Sequence, residues 1–235
     1  SLPPLKYGPD VDGLRAIAVV LVLNFHAFPD AMPGGFIGVD VFFVISGFLI
    51  TGIIARELEL GRFSLIGFYN RRIRRIFPAL IVVLGATLIL GWFWMLPQAF
   101  AQLGSDALAS AAFMATIAFW LQSGYFDVES ARKPLLHLWS LGIEEQFYLF
   151  WPLLLMVAAG LRMRILAMAA ILGVGSFLLN VALIGANPVA TFYLPFTRAF
   201  ELLAGAVLAC GWVRIDKGGA ANNWLAWIGV RLVGL

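Results

Sequence analysis

Long uninterrupted apolar runs are the feature that most constrains the fold of this chain. Of its 235 residues, 62% are hydrophobic and 12% are charged, against roughly 45–50% and about 25% in an ordinary soluble domain. A soluble domain of this size cannot bury so much apolar surface. Because a spanning helix needs ~20 apolar residues, the chain has room for about eight spans. The candidate spans lie near 12–30, 36–55, 77–96, 102–121, 141–160, 164–185, 196–213 and 223–235.

These runs are continuous, whereas the strands of a membrane barrel alternate between apolar and polar residues. The sequence therefore predicts an all-α integral membrane protein, a polytopic bundle of about eight transmembrane helices. We expect residues 1–235 to form a single transmembrane domain without a separate soluble domain. The last candidate span, 223–235, is short for a membrane crossing, so we expect the chain to be C-terminally incomplete.

The distribution of charge favours a lipid bilayer over nucleic acid as the partner. The net charge is +3, but many of the basic residues lie between Arg56 and Arg75 in a chain otherwise built for lipid. A cytoplasmic N-terminus puts most Lys and Arg residues on the inner side, including Lys133 and Arg198, as the positive-inside rule requires. This count depends on 102–121 crossing the membrane once. Cys210 is the only cysteine and the two histidines are far apart, so we predict no metal site.

The first candidate span carries two ionisable residues, Arg15 and His26. Their spacing corresponds to about 20° of helical rotation and ~16 Å of rise, so they share one helix face. One interpretation makes this face the wall of a reaction chamber, with His26 as a base and Arg15 as an anion-binding group. The alternative places Arg15 among the lipid headgroups and has His26 hydrogen-bonded to a neighbouring helix.

A cluster of four arginines precedes the third span, at positions 71, 72, 74 and 75. Such a cluster can anchor a helix at the lipid headgroups. Arginine also supplies a bidentate fork that suits phosphate, and the pairs Arg71/Arg74 and Arg72/Arg75 are neighbours at i,i+3. Binding of a cytosolic polyanion, such as a nucleotide-containing coenzyme, is therefore a second interpretation of these arginines.

Two adjacent carboxylates, Glu144 and Glu145, stand near the start of the fifth span. Glu144 and Tyr148 face together at i,i+4, while Glu145 points away from them. The helix dipole offsets part of the cost of carboxylates at a helix N-terminus. In a functional reading, one of them orients a histidine or holds an acceptor hydroxyl. His137 and Ser140 either cap this helix or line its entrance.

Two further acids within apolar runs are Asp40 and Glu201. Arg198 and Glu201 lie at i,i+3, where they can neutralise each other as a structural pair. Asp40 has no partner within its own span. We therefore expect Asp40 to find one on another helix.

Four motifs in order resemble the acyltransferase-3 family of membrane O-acyltransferases. They are the Arg15-x10-His26 pair after Asp12-Gly-Leu, the segment 38–51 (GVDVFFVISGFLIT), the arginine cluster leading to Pro78, and the segment 137–148 (HLWSLGIEEQFY). The resemblance extends from Asp10 to about Gly205. It implies a bundle of about ten helices, of which this chain would be a truncated part, in the inner membrane of a bacterium. Some members carry a further SGNH-type domain outside the membrane.

The resemblance implies transfer of an acyl group, commonly acetyl, from acyl-CoA to a hydroxyl of a surface carbohydrate such as lipopolysaccharide O-antigen, peptidoglycan or exopolysaccharide. No metal is expected in this reaction. By motif position, the implied catalytic residues are His26, Glu144 and Glu145. The implied donor-binding residues are Arg15, Arg71, Arg72, Arg74 and Arg75, and the register of the paired arginines stays open. The implied acceptor-binding or supporting residues are Asp40, His137, Ser140 and Tyr148.

Our hypothesis for the chemistry makes His26 the base that takes the proton of the acceptor hydroxyl. Glu144 or Glu145 would set the tautomer of the imidazole or position the acceptor, and a transient acyl-histidine is one variant. The competing class is a proton-coupled transporter or export protein, in which the same buried His, Asp and Glu residues form a proton path. Binding of coenzyme A separates the two.

Overall fold

A computed structural model describes residues 9–123, 133–161 and 163–217, and its regular secondary structure over these ranges is helical. The last predicted span, 223–235, lies outside the described residues. The nine helices of these ranges are α1 (Pro9–Ala27), α2 (Ile37–Glu59), α3 (Leu65–Trp94), α4 (Pro97–Ala111), α5 (Ala115–Gln122), α6 (Leu138–Gly160), α7 (Ile165–Ile184), α8 (Pro188–Tyr193) and α9 (Pro195–Lys217).

Five segments in this part of the chain are long and apolar enough to cross a membrane: Ile37–Glu59, Leu65–Trp94, Leu138–Gly160, Ile165–Ile184 and Pro188–Gly211. α1 has 19 residues and carries two aspartates in its first turn. The predicted all-α membrane bundle is thereby confirmed. The arginine cluster belongs to α3, because Ser64 caps that helix by accepting a hydrogen bond from the Gly67 N–H, well before Arg71.

The predicted span 102–121 is wrong, because the chain turns back in its middle. α4 has 15 residues and α5 has 8, so they rise only ~22 and ~12 Å, less than the ~30 Å hydrocarbon core. The turn between them contains Phe113, whose φ is 57°, and its carbonyl accepts a hydrogen bond from Gln146 of α6 at 2.9 Å. Non-helical backbone at membrane depth is tolerated where protein groups satisfy it. We call α4 and α5 the re-entrant hairpin.

Because the re-entrant hairpin does not cross the bundle, the helices after it start from the end opposite to the one predicted. The end of α1 and the starts of α2, α6 and α9 share one end of the bundle, the His26 end, where Arg198 pairs with Asp40. The end of α2 and the start of α3 share the opposite end, the Arg71 end, where Arg71 pairs with Glu57. The prediction that put Arg198 and Lys133 on the same side as the arginine cluster is therefore wrong.

Helix α2 packs closely against α1 and α9 through glycines. A methyl group added to Gly47 would overlap the backbone of Leu202, and one added to Gly205 would overlap the backbone of Val44. Toward α1, a methyl group on Gly38 would overlap the Ala18 carbonyl. Small residues allow such backbone approach between membrane helices.

Helix α6 runs between α2 and α3 and carries the polar residues inward. Trp151 donates its indole N–H to the buried hydroxyl of Thr51 on α2 at 2.8 Å. On the other side, the hydroxyl of Tyr69 on α3 donates to the Leu149 carbonyl at 2.8 Å. These contacts fix the rotation of α6, so that the turn that carries Glu144 and Glu145 faces both neighbouring helices.

Candidate functional site

The two carboxylates of α6 lie deeper in the helix than the sequence suggested. α6 begins at Leu138, so Glu144 and Glu145 follow its first turn, whereas the unpaired N–H groups of a helix are confined to its first four residues. The proposed compensation by a helix N-terminus is therefore wrong. His137 makes no side-chain cap, and Ser140 donates to the His137 carbonyl at 3.1 Å, so neither side chain caps α6.

Arg72 of α3 and Glu145 of α6 form an ion pair inside the bundle. Only 14% of the Arg72 side chain and 12% of the Glu145 side chain are exposed. The guanidinium of Arg72 also lies 3.9 Å from the centre of the Tyr148 ring, a cation–π contact that is strong when desolvated. The Nε of Arg72 is buried and has no hydrogen-bond partner in the described part of the chain. This Nε–H is therefore a buried donor that the described residues leave unsatisfied.

Glu144 makes a separate set of contacts, on the adjacent face of α6. Ser46 of α2 donates a hydrogen bond to its Oε1 at 2.9 Å, and the hydroxyl of Tyr148 also lies at Ser46. Arg15 of α1 lies within electrostatic range of the same carboxylate. The structure thus brings Arg15, Glu144 and Tyr148 to one region. Ser46 was missed from the sequence, since nothing in its segment marks it as the partner of a residue 98 positions away.

A cavity of about 570 Å³ opens beside the Arg72–Glu145 pair. Its polar lining includes Arg72, Glu145, Gln146 and the Tyr148 side chain, and the rest is mainly apolar. The turn of the re-entrant hairpin, 112–114, forms part of its wall. Gln146 and the hairpin turn were missed from the sequence, because only the reversal of the chain at Phe113 places them here.

The four arginines of the predicted cluster separate in the structure. Arg72 points into the bundle, whereas Arg71 pairs with Glu57 at 3.1 Å with 58% of its side chain exposed. Arg74 and Arg75 are exposed. Successive helix positions differ by ~100°, so four arginines in five positions cannot share one face. The two i,i+3 pairs therefore project from different faces of α3.

His26 lies in the last turn of α1 and is exposed. Its Nδ1 is 2.8 Å from the Val22 carbonyl, which can only accept, so Nδ1 carries the proton and Nε2 has the free lone pair. The hypothesis that Glu144 or Glu145 sets this tautomer is wrong in this structure, because a backbone carbonyl does so. His137 lies near enough for the charge of His26 to lower its pKa, although burial is the larger cause of that lowering.

Asp40 finds its expected partner on another helix. Arg198 of α9 donates to Asp40 at 2.9 Å and also pairs with Glu201 at 3.0 Å, confirming that structural pair. The guanidinium of Arg198 lies 5.6 Å from the ring centre of Trp139 on α6. This group, which we call the Arg198 clamp, therefore joins α2, α6 and α9.

The described residues contain no group of three or more His, Cys, Asp or Glu side chains placed to hold a metal ion. No solved structure matches the chain. Curated relatives match most of this chain, among them two O-acetyltransferases. The chain is 39% identical over 214 residues to the peptidoglycan O-acetyltransferase OatA of Listeria monocytogenes, covering 88% of this chain and 34% of the relative. It is 34% identical over 217 residues to the O-acetyltransferase OatA of Staphylococcus aureus, covering 88% and 35%.

This chain thus spans about a third of the length of the curated relatives it matches. The family model described as an acyltransferase domain, Acyl_transf_3, matches residues 9–235, nearly the whole sequence. The chain belongs to the acyltransferase-3 family.

Proposed function

We propose that this chain is the membrane part of an O-acetyltransferase that moves an acetyl group from acetyl-CoA to a hydroxyl of a cell-surface carbohydrate, with peptidoglycan as the first candidate acceptor. Family membership and the names of the relatives support the reaction class. The observation that carries the proposal is the cavity beside Arg72 and Glu145. It offers the guanidinium of Arg72 beside an apolar wall, which suits a thioester.

The orientation of the bundle follows from its basic residues. The Arg71 end carries Arg56, Arg62 and the exposed members of the arginine cluster, and Arg164 lies beside Glu59 at that end. We place this end in the cytoplasm by the positive-inside rule. The N-terminus is then cytoplasmic as well, because α1 begins at the Arg71 end. We place the protein in the inner membrane of a bacterium.

The donor then approaches from the Arg71 end. In this arrangement Arg71, Arg74 and Arg75 contact the coenzyme phosphates at the membrane surface, since guanidinium groups bind phosphate through paired hydrogen bonds. Arg72, one helix face further in, receives the thioester end. Arg15 and Glu144 support this interior region. Arg71, Arg74 and Arg75 thus bind the phosphates of the donor, and Arg72 binds its thioester end.

The acceptor approaches from the opposite end, where His26 lies with a free Nε2 lone pair. His26 does not line the cavity beside Arg72, so the thioester must extend beyond that cavity toward His26 for transfer. There Nε2 takes the proton of the acceptor hydroxyl as its oxygen attacks the thioester carbonyl. The new C–O ester bond forms, the C–S bond breaks, and coenzyme A leaves as a thiolate that is then protonated. Asp40, His137 and Ser140 lie in the helices at this end and would support the acceptor. The bundle therefore separates the entry of donor and acceptor.

Binding of acetyl-CoA to the full-length protein in detergent tests the donor half of this proposal. We expect Arg72→Gln to weaken binding by at least about tenfold, as expected for a lost charge-assisted contact worth ~1.5–3 kcal/mol. The matched control is Arg62→Gln, an exposed arginine in the loop before α3, which should bind as the wild type does. Absence of binding by folded wild-type protein would favour the proton-coupled transporter instead.

Transfer of radiolabelled acetyl from acetyl-CoA to peptidoglycan fragments tests the acceptor half. We expect His26→Gln to keep acetyl-CoA binding and to lose transfer by about 10²–10⁴-fold, the usual contribution of a general base. Transfer that persists in this variant would remove His26 from the mechanism.

A further inference from the structure

We propose that the apolar wall of the cavity beside Arg72 is the subsite for the acyl group, and that Phe113 sets how long an acyl chain fits there. This inference rests on the proposed function and sharpens its donor class to short-chain acyl thioesters. It assigns a specificity-determining role to a residue that carries no polar group.

The cavity has the two-part chemistry of an acyl group. Its polar corner holds Arg72, Glu145 and Gln146. A guanidinium or amide N–H at this corner can donate a hydrogen bond to a thioester carbonyl. Apolar side chains continue the wall from this corner, and an aliphatic acyl chain would lie against them. They are Ile76, Phe77, Phe113, Ile117, Leu149, Phe150 and Phe196.

Phe113 differs from the other apolar residues of this wall in its backbone. Its φ of 57° lies in the left-handed region, which is unfavourable for a bulky residue and costs on the order of 1–3 kcal/mol. Glycine would adopt this conformation without strain. The ring nevertheless occupies the position, packed edge-to-face on Phe77 at 5.7 Å between centroids. Strain of this kind is found at ligand-contacting positions.

The surroundings hold Phe113 in place from both sides. Gln146, next to Glu145 in sequence, donates to the Phe113 carbonyl at 2.9 Å. Behind the turn, the buried carboxylate of Asp106 on α4 accepts from Gln102 at 2.9 Å and from Gln122 of α5 at 2.8 Å. Asp106 therefore ties the two halves of the re-entrant hairpin together. A turn fixed in this way keeps the ring at a constant position in the wall, as selection by size requires.

The test is the acyl-chain profile of Phe113→Gly in the full-length protein. This variant removes the ring and relieves the backbone strain, so the turn is retained. We expect the rate with butyryl-CoA relative to acetyl-CoA, measured as coenzyme A thiol released in the presence of peptidoglycan fragments, to rise by at least about tenfold, because a methylene in an apolar pocket is worth 10–200-fold. Phe113→Leu should shift the ratio in the same direction by less.

The matched control is Leu108→Ala on α4, an apolar residue that is 74% exposed on the outer face of the hairpin. It should leave the ratio unchanged. An unchanged ratio in Phe113→Gly that still transfers acetyl overturns the inference, and so does an equal shift in the Leu108 variant. If Phe113→Gly is inactive with every donor, an unchanged ratio in Phe113→Leu overturns the inference and an increased ratio supports it. Wild-type protein that releases no thiol from any donor instead overturns the proposed function, and the inference with it.

Discussion

Two arginines at membrane depth, Arg72 and Arg198, have similar surroundings and different tasks. Each pairs with a carboxylate on another helix and lies over an aromatic ring. Each also has a buried Nε without a hydrogen-bond partner in the described ranges. Arg198 contacts two carboxylates, Asp40 and Glu201, whereas Arg72 contacts one and lines the cavity.

The number of carboxylates explains this difference. Two carboxyl groups occupy the donors of Arg198, so this arginine mainly joins helices. Arg72 has a single paired carboxylate and an open space beside it, so a polar ligand can still approach. A buried arginine is therefore evidence of a ligand site only when there is room for a ligand beside it.

The largest expected effect comes from breaking the clamp with Arg198→Met. This change leaves Asp40 and Glu201 as uncompensated carboxylates, and removing one partner of a buried pair costs about 3–5 kcal/mol. The free energy of unfolding in detergent measures the loss. The triple variant Arg198→Met, Asp40→Asn, Glu201→Gln should recover much of it. Full stability of the single variant would show that Arg198 is no clamp.

The next effect separates the two arginines by activity. Arg72→Lys keeps the charge that pairs with Glu145 but loses the planar fork and the stacking on Tyr148. We expect acetyl transfer to fall about 100-fold, or about 2.7 kcal/mol, with the melting temperature close to that of the wild type. Arg198→Lys is the matched comparison and should keep most of its activity. An equal loss of transfer in a folded Arg198→Lys protein would place the clamp in the active site.

A smaller effect tests the helix crossing beside the clamp. Gly47→Ala forces a methyl group against the Leu202 backbone on α9, so the two helices must separate, at a cost of about 1–3 kcal/mol. Thermal unfolding of the purified protein measures this cost. Gly52→Ala, on the same helix but with no atom within 4 Å of the added methyl group, should be nearly neutral. Equal stabilities of the two variants would contradict the close crossing of α2 and α9.

The smallest effect concerns His137 at the His26 end. Burial lowers its pKa below 6.5, and the charge of His26 lowers it further. The folded protein therefore resists protonation of His137, so the contribution of this residue to stability is complete above pH 6.5 and is lost as the pH falls below it. NMR titration of the imidazole should give a pKa below 6.5 that rises in His26→Asn. A value of 6.5 or more would contradict this partial desolvation of His137.

Much of the fold could be predicted from the sequence, because apolar runs of spanning length specify membrane helices without reference to other parts of the chain. The interpretation of 102–121 failed for a physical reason. Its composition is mainly apolar despite Gln102 and Asp106, and the hydrogen bond to the Phe113 carbonyl at the reversal comes from Gln146 of α6. Hydropathy therefore identified 102–121 as a mainly apolar segment but could not show that the chain reverses direction within it.

The site residues also include features that the sequence could identify and features that depend on contacts between helices. Arg72, Glu144, Glu145 and Tyr148 were candidates because ionisable or polar side chains are costly in an apolar run. The sequence could not choose between the two registers of paired arginines, since both have the same spacing. Contacts with Glu145 and Tyr148 of α6 hold Arg72 inward, whereas Arg71, Arg74 and Arg75 are exposed.

The sequence by itself determined that this chain is a helical membrane bundle and which family it resembles. It also determined which polar residues need a compensating contact or have a functional role. Hydrophobicity and motif order are local properties, so a single chain contains them in full. Only the tertiary structure decided which arginine faces the cavity and that the re-entrant hairpin brings Phe113 to the cavity wall. These outcomes depend on contacts between helices distant in sequence, whose rotation and depth are set by packing.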